Sequence, residues 1–141
     1  ILIGLVGSEM CIRDRGNQNY NTGRWLGFLK DMDLTIDLQK STPVSSVSLT
    51  VNVSKGAAVM DATGLEVWCS EDGKEYRKLA SASYPVLDKE DKDGIYPHTL
   101  SFSVVETRYV RIIARVTPKL PAWHMWPGNP AFLFVDEVCV K

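Results

Sequence analysis

The chain has 141 residues, 45% of them hydrophobic and 23% charged, and a formal net charge of −1. That length suits one domain with a core large enough to fold without disulfides. The near-neutral balance gives nucleic acid or an anionic membrane nothing to attract, and no apolar run approaches the ~20 residues that span a bilayer.

Residues 1–15, ILIGLVGSEMCIRDR, stand apart from the rest of the chain. The apolar start is short and has no basic residues before it, so it is a poor secretory signal. The string GSEMCIRDR resembles a translated adaptor tail. The expectation is a non-native or disordered segment at 1–15, one domain at 16–141, and a parent chain continuing upstream. The three cysteines are Cys11, Cys69 and Cys139. They lack CxxC spacing and paired histidines, which argues against zinc. Cys69 and Cys139 fall in predicted strands, where a small buried apolar role is expected. An odd count leaves at least one thiol free.

Residues 16–27, GNQNYNTGRWLG, form a turn-dense loop leading to Trp25, which reads as a core anchor. Such a loop can turn its carbonyls inward around a hard cation, or simply be tight and held by side-chain hydrogen bonds. No Asp cluster favours the metal. Residues 33–39, DLTIDLQ, alternate as a half-buried strand with Leu34, Ile36 and Leu38 inward. Lys40-Ser41-Thr42-Pro43 is expected to break it. The next strand, 44–53, has Val47, Leu49, Val51 and Val53 in phase. After a loop of small residues, 65–70 places Leu65, Val67 and Cys69 on one face and Glu66 and Trp68 on the other. Asp72-Gly73 marks a hairpin to a return strand at 75–80. The charged stretch DKEDKDG within 81–97 reads as a solvated loop, since it lacks the EF-hand frame and the Glu that closes it. Residues 98–105 form a strand with Leu100, Phe102 and Val104 in phase, and Glu106-Thr107 is expected to turn the chain. In 108–116, Val110, Ile112, Ala114 and Val116 form the apolar face, opposite Tyr109, Arg111, Ile113 and Arg115. An aromatic loop at 117–129 leads to a last strand at 130–141. Seven or eight short strands with no helical period imply an all-β sandwich or barrel.

Three motifs recur in order: GRWLGF…IDL, VWCSEDGKEY and TRYVRI…AWH…FLFVDEVCV. Together they resemble the discoidin, or coagulation factor five/eight C-terminal-type, domains and their relatives, the family 32 carbohydrate-binding modules, over about residues 16–141. The combination of WLGF, AWH and FLFVDE is similar to domains at the C-termini of Bacteroidetes-type family 20 glycoside hydrolases, the β-N-acetylhexosaminidases. The resemblance implies an antiparallel jelly-roll sandwich of about eight strands with ligand loops at one end. It implies a secreted, periplasmic or cell-surface setting. It also implies a structural calcium between the first loop, 16–22, and a Glu of the last strand. The positions to examine are Asn19 and Glu137, although NQNYN replaces the usual carboxylate-bearing start of that loop.

Trp123, His124 and Trp126 lie in a Pro-bounded loop. Aromatic faces stack on sugar C–H faces, and a nearby His or Asn orients the hydrogen bonds. Trp126, His124 and Asn129 are the leading ligand candidates. Trp123 and Arg24 follow, with the loop 55–61 as a candidate rim. The competing reading has Trp123 and His124 plugging the sandwich end or packing on a neighbouring domain. Asp136-Glu137 matches the acid pair of family 20 hydrolases. Adjacent strand residues face opposite ways, however, and the ~250-residue barrel does not fit, so no catalytic residue is expected. The expected function is a non-catalytic carbohydrate-binding accessory domain of a larger β-N-acetylhexosaminidase-like enzyme. Its partners would be a galactose- or N-acetylhexosamine-type glycan and the upstream catalytic domain, not nucleic acid or a membrane interior. The alternatives are a purely structural domain and a protein or phospholipid adhesion module.

Overall fold

A computed structural model of the chain describes residues 2–4, 10–11 and 26–141; for 2–4, 10–11, 26–28, 136 and 137 it describes the backbone alone. The strands are β1 (Leu2–Gly4), β2 (Met10–Cys11), β3 (Leu26–Phe28), β4 (Met32–Val53), β5 (Gly64–Ser70), β6 (Arg77–Ser83), β7 (Gly94–Arg115) and β8 (Leu133–Val140). Trp25, expected in the core, falls outside the described residues.

Two strands of 22 residues each dominate the fold, and both differ from the expectation. Lys40–Pro43 and Glu106–Thr107 do not end strands; they bend them. β4 and β7 pair antiparallel along nearly their whole length. The ladder slips between Asp37 and Thr42 and again between Val44 and Ser46. Such irregularities let a strand turn a corner and continue. At the first, Gln39 takes φ 72°, and its N–H donates to the Asp37 carboxylate at 2.7 Å. The Thr42 hydroxyl donates to the Lys40 carbonyl at 2.9 Å. On the facing strand the Thr107 hydroxyl donates to the Ser70 carbonyl at 2.9 Å. The chain thus satisfies its polar groups while changing direction.

Below this corner, 32–37 of β4 pairs with 109–114 of β7, which then pairs with β5, and β5 with β6. Above it, 46–53 pairs with 94–101 of β7 on one side and with β8 on the other. One buried cluster contains Leu34, Ile36, Val67 and Ile112 from the first half together with Val47, Leu49, Val51, Leu133 and Val135 from the second. The two halves therefore face each other as the layers of a sandwich. The strand phases expected for Leu34, Ile36, Leu38, Val47, Leu49, Val51 and Val53 all hold. Val104 does not follow its expected phase: it is exposed beside the corner, where the alternation lapses. β6 begins two residues later than expected.

Cys69 is a free, buried thiol, as expected. Cys139 is buried in β8, as expected, and is disulfide-bonded. β1 runs parallel to β4 and β2 antiparallel to β8, which places the backbone of Leu2–Gly4 and Met10–Cys11 at the sheet. A register shift in β8 lies between the partners of Asp136 and Cys139.

The outer face of the β4–β7–β5–β6 layer is an ion-paired surface. Arg108 forks onto Asp37 at 2.8 and 3.0 Å. Arg111 forks onto Asp33, and Arg115 joins Asp31 to Glu66. The hydrogen bonds from Arg111 and from Arg108 lead the forces that hold Asp33 and Asp37 below the ordinary carboxylate value. Each pair is partly exposed, so solvent screening keeps its contribution small.

The β5–β6 hairpin is organised by Asp72. Its Oδ1 accepts the Lys74 and Glu75 amides at 2.9 and 3.0 Å and the Ser70 hydroxyl at 2.9 Å. These bonds lower its pKa to about 2. A carboxyl whose folded pKa is depressed stabilises the fold above its unfolded value and loses that contribution as pH falls through the folded one. The melting-temperature gap between the parent and Asp72→Ala is therefore expected to be constant near neutrality. It should close between about pH 4 and pH 2. Gly73 sits at φ 75° with the Tyr109 ring 3.3 Å from where a Cβ would stand. Gly73→Ala is expected to destabilise the domain by about 1–2 kcal/mol in urea unfolding.

Candidate functional site

Three connections meet at one end of the sandwich: 54–63 after β4, 84–93 after β6, and 116–132 after β7. Under them lies a second, smaller core of Val53, Ala58, Met60, Leu87, Leu120 and Ala131, with Tyr96 and Trp123 packed against it. All three connections contribute to it, so burial of apolar surface holds them together.

The first connection begins with a 3-10 turn, Lys55–Ala57, closed by Ala58 at φ 63°. It is sewn to the end of the third. The Met60 amide donates to the Phe132 carbonyl at 3.0 Å, and the Phe132 amide to the Ala58 carbonyl at 2.8 Å. Asp61 is buried, with Oδ1 2.7 Å from His98 Nε2, and Tyr84 lies over the His98 ring at 4.2 Å. Burial, then the Asp61 charge, pushes the Tyr84 phenol up.

The aromatic loop is closed at its neck. The Leu120 amide donates to the Asn129 carbonyl at 2.8 Å, and the Gly128 amide returns to the Leu120 carbonyl at 3.0 Å. Gly128 has φ 82°, a backbone that favours glycine. Trp123 is half-buried against the small core, which fits the packing reading for that residue. His124 is buried at 7% exposure. Its Nε2 lies 2.6 Å from the Lys55 carbonyl and donates to it; its Nδ1 accepts the Trp126 amide at 3.0 Å. Both ring nitrogens are thus engaged within the protein, which assigns the Nε2–H tautomer. Trp126 is 49% exposed and Met125 73%. Asn129 is exposed, and its amide nitrogen donates to the Trp126 carbonyl at 3.2 Å. The rings of Trp123, His124 and Trp126 form a tilted series with centroid spacings of 5.8 and 5.6 Å.

The structure thus brings together Trp123, His124, Trp126 and Asn129, and gives them different surroundings. Arg24 and Asn19 lie outside the described residues, and Glu137 is described only as backbone in β8. Among the described residues, no three His, Cys, Asp or Glu side chains converge on a metal.

Sequence reasoning missed Lys55 and Asp93 as parts of one network. The Lys55 amide and Nζ each lie 3.0 Å from Asp93 Oδ1, and Nζ also bonds the Asp91 carbonyl. Burial pushes the Asp93 carboxyl up, but its bonds from the Lys55 amide and ammonium outweigh that and hold it below the ordinary value. No local signal links two residues 38 positions apart.

Three aromatic residues of the sheet face, Trp68, Tyr76 and Tyr109, compare unfavourably with Trp126 as platforms. Lys78 stands 5.2 Å over Trp68, Arg108 4.9 Å over Tyr109 and Arg111 5.8 Å over Tyr76. Those faces are occupied by the protein's own cations. Among the described residues, no cation covers the Trp126 ring. A cavity of about 300 Å³ lies at the opposite end of the sandwich, near Glu71, Glu75, Tyr76, Arg77 and Glu106. It contains none of the residues expected to bind ligand.

Comparison with known proteins identifies the fold. Chitosan-binding module 1 of a chitosanase/glucanase from Paenibacillus sp. IK-5 superposes with a TM-score of 0.55 at 13% identity, covering 94% of this chain and 92% of that one. The CBM32 of AlyQ, solved with 4,5-unsaturated mannuronic acid, gives 0.53 at 14% identity over 94% and 92%. CBM32-1 from a family 31 glycoside hydrolase of Clostridium perfringens gives 0.53 at 18% identity over 89% and 79%. No curated protein matches the chain significantly. The family model for the F5/8 type C domain matches residues 12–135. With that match across most of its length, and with a sandwich whose long loops gather at one end, the chain belongs to the F5/8 type C, or discoidin, domain family.

Proposed function

We propose that this domain is a non-catalytic carbohydrate-binding module that holds a glycan against the exposed face of Trp126. The observation that carries this reading is an indole 49% exposed, with no covering cation among the described residues and a seat at the tip of a closed loop. A sugar ring laid on it buries C–H surface, while the side-chain oxygen of Asn129 and nearby backbone groups supply oriented hydrogen bonds. His124 acts from beneath the platform. The reading is supported by relatives of the same fold that bind chitosan or an unsaturated mannuronic acid.

We further propose a galactose- or N-acetylhexosamine-type glycan as ligand. The parent would be a secreted or cell-surface β-N-acetylhexosaminidase-like hydrolase, brought by this contact close to its substrate. Proximity of this kind multiplies weak contacts without new chemistry. A second reading, packing of this end on a catalytic domain, is favoured by Met125, whose 73% exposure places a flexible apolar side chain beside Trp126.

Titration with galactose, N-acetylgalactosamine and N-acetylglucosamine, followed by calorimetry, distinguishes the two. Trp126→Ala is expected to weaken binding by about tenfold, while Trp68→Ala stays within about twofold. A correctly folded domain that binds no glycan, or an unchanged affinity in Trp126→Ala, overturns the assignment.

The proposal includes a structural calcium held by Asn19, backbone carbonyls of 17–22 and Glu137, all oxygen donors suited to that ion. Excess calcium should raise the melting temperature by several degrees over the chelated protein, and Glu137→Ala should abolish the difference. Identical melting in calcium and in chelator removes the metal from the proposal.

A further inference from the structure

We propose that Asp93 is a positioning residue for the Trp126 platform, acting through Lys55 and His124 without touching the ligand. This inference rests on Trp126 being the platform. Its geometry is a continuous series of bonds across the three connections. Asp93 fixes Lys55 from both ends of that residue, accepting its amide and its ammonium at 3.0 Å each. The Lys55 side chain is only 14% exposed. Held in this way, the Lys55 carbonyl presents one oxygen to two donors: the Ala58 amide at 3.0 Å, which closes the 3-10 turn, and His124 Nε2–H at 2.6 Å. His124 then has a fixed ring and a fixed tautomer. Its Nδ1 accepts the Trp126 amide and sets the backbone that carries the indole. Each link depends on the one before it. Loss of the Asp93 carboxylate takes the acceptor from the Lys55 amide and leaves its ammonium on the Asp91 carbonyl; a Lys55 carbonyl placed less firmly no longer selects the His124 orientation, and the Trp126 amide loses a defined acceptor. A platform that must be ordered at binding gives up affinity that a preorganised one retains.

The bond between His124 Nδ1 and the amide two residues on has a side-chain equivalent, since an Asn oxygen accepts the i+2 amide in an Asx-turn. His124→Asn therefore preserves the turn at Trp126 but cuts the link to Lys55. This separates the relay from a purely local role. In the parent, Asp93→Asn is expected to weaken glycan binding by about three- to tenfold at unchanged far-UV circular dichroism. In His124→Asn the same substitution should change affinity by less than about twofold, because the relay is already cut.

The backbone amide resonance of Trp126 gives a readout that needs no ligand. Asp93→Asn should shift it in the parent and leave it nearly unmoved in His124→Asn. Additive effects of Asp93→Asn and His124→Asn on affinity overturn the relay, as does an unshifted Trp126 amide in Asp93→Asn. If Trp126→Ala binds glycan normally, the platform assignment fails, whereas the amide measurement still decides whether Asp93 governs the Trp126 backbone.

Discussion

The fold depends on the pairing of β4 with β7. Two strands of 22 residues run antiparallel through a common corner, so that one ladder serves both layers of the sandwich. If the ladder were straight, Leu34, Ile36 and Ile112 would not meet Val47, Val51 and Val135, and neither half would bury its apolar face. The corner is therefore as important as the core. It is made from Gln39 in a left-handed conformation and from the hydroxyls of Thr42 and Thr107, which bond the Lys40 carbonyl within the bend and the Ser70 carbonyl at the end of β5. The same geometry sends the connections 54–63, 84–93 and 116–132 to one end, where their shared apolar cluster makes them a single surface.

Much of this is legible in the sequence because alternation is local. Leu34 to Leu38, Val47 to Val53, and Val110 to Ala114 show their buried faces by period alone, and the Asp72-Gly73 hairpin shows itself by turn chemistry. Lys40–Pro43 reads as a stop because proline and a polar cluster usually end a strand. Whether a slipped ladder resumes beyond such a cluster depends on the partner strand, here 94–107, which no local pattern reveals. The aromatic loop is legible as a candidate site from composition. The different tasks of its residues are not: His124 is withdrawn from solvent by a carbonyl 69 positions away. The charged stretch at 88–93 reads as a solvated loop, yet Asp93 holds a nearly buried lysine.

The distribution of cations separates the half-buried aromatic residues of the sheet face from the exposed Trp126. On the outer face of the β4–β7–β5–β6 layer, Arg108, Arg111 and Lys78 cover Tyr109, Tyr76 and Trp68. The arginines are at the same time forked onto carboxylates, so displacing them for a ligand would break two interactions at once. That face is built to be stable in water. At the loop end the indole of Trp126 is bordered by His124, whose nitrogens are spent on the backbone, and by Met125, which carries no charge. An aromatic ring in that setting still has its dispersion and desolvation energy available for a partner.

A site of this kind lies on a loop, and loops ordinarily lose affinity to disorder. Here the loss is limited by the way the loop is anchored rather than by its own length. Its neck is closed by the Leu120–Asn129 and Gly128–Leu120 bonds. Its base is held by Trp123 in the small core, and its tip by His124, which reaches across to a different connection. Three attachments at different heights leave little rotation to the segment bearing Trp126. The tip can therefore vary in sequence without disturbing the sandwich beneath it. Substitutions at Lys55 or Asp93 would instead act on the backbone beneath Trp126 while leaving the exposed side chains of the tip unchanged.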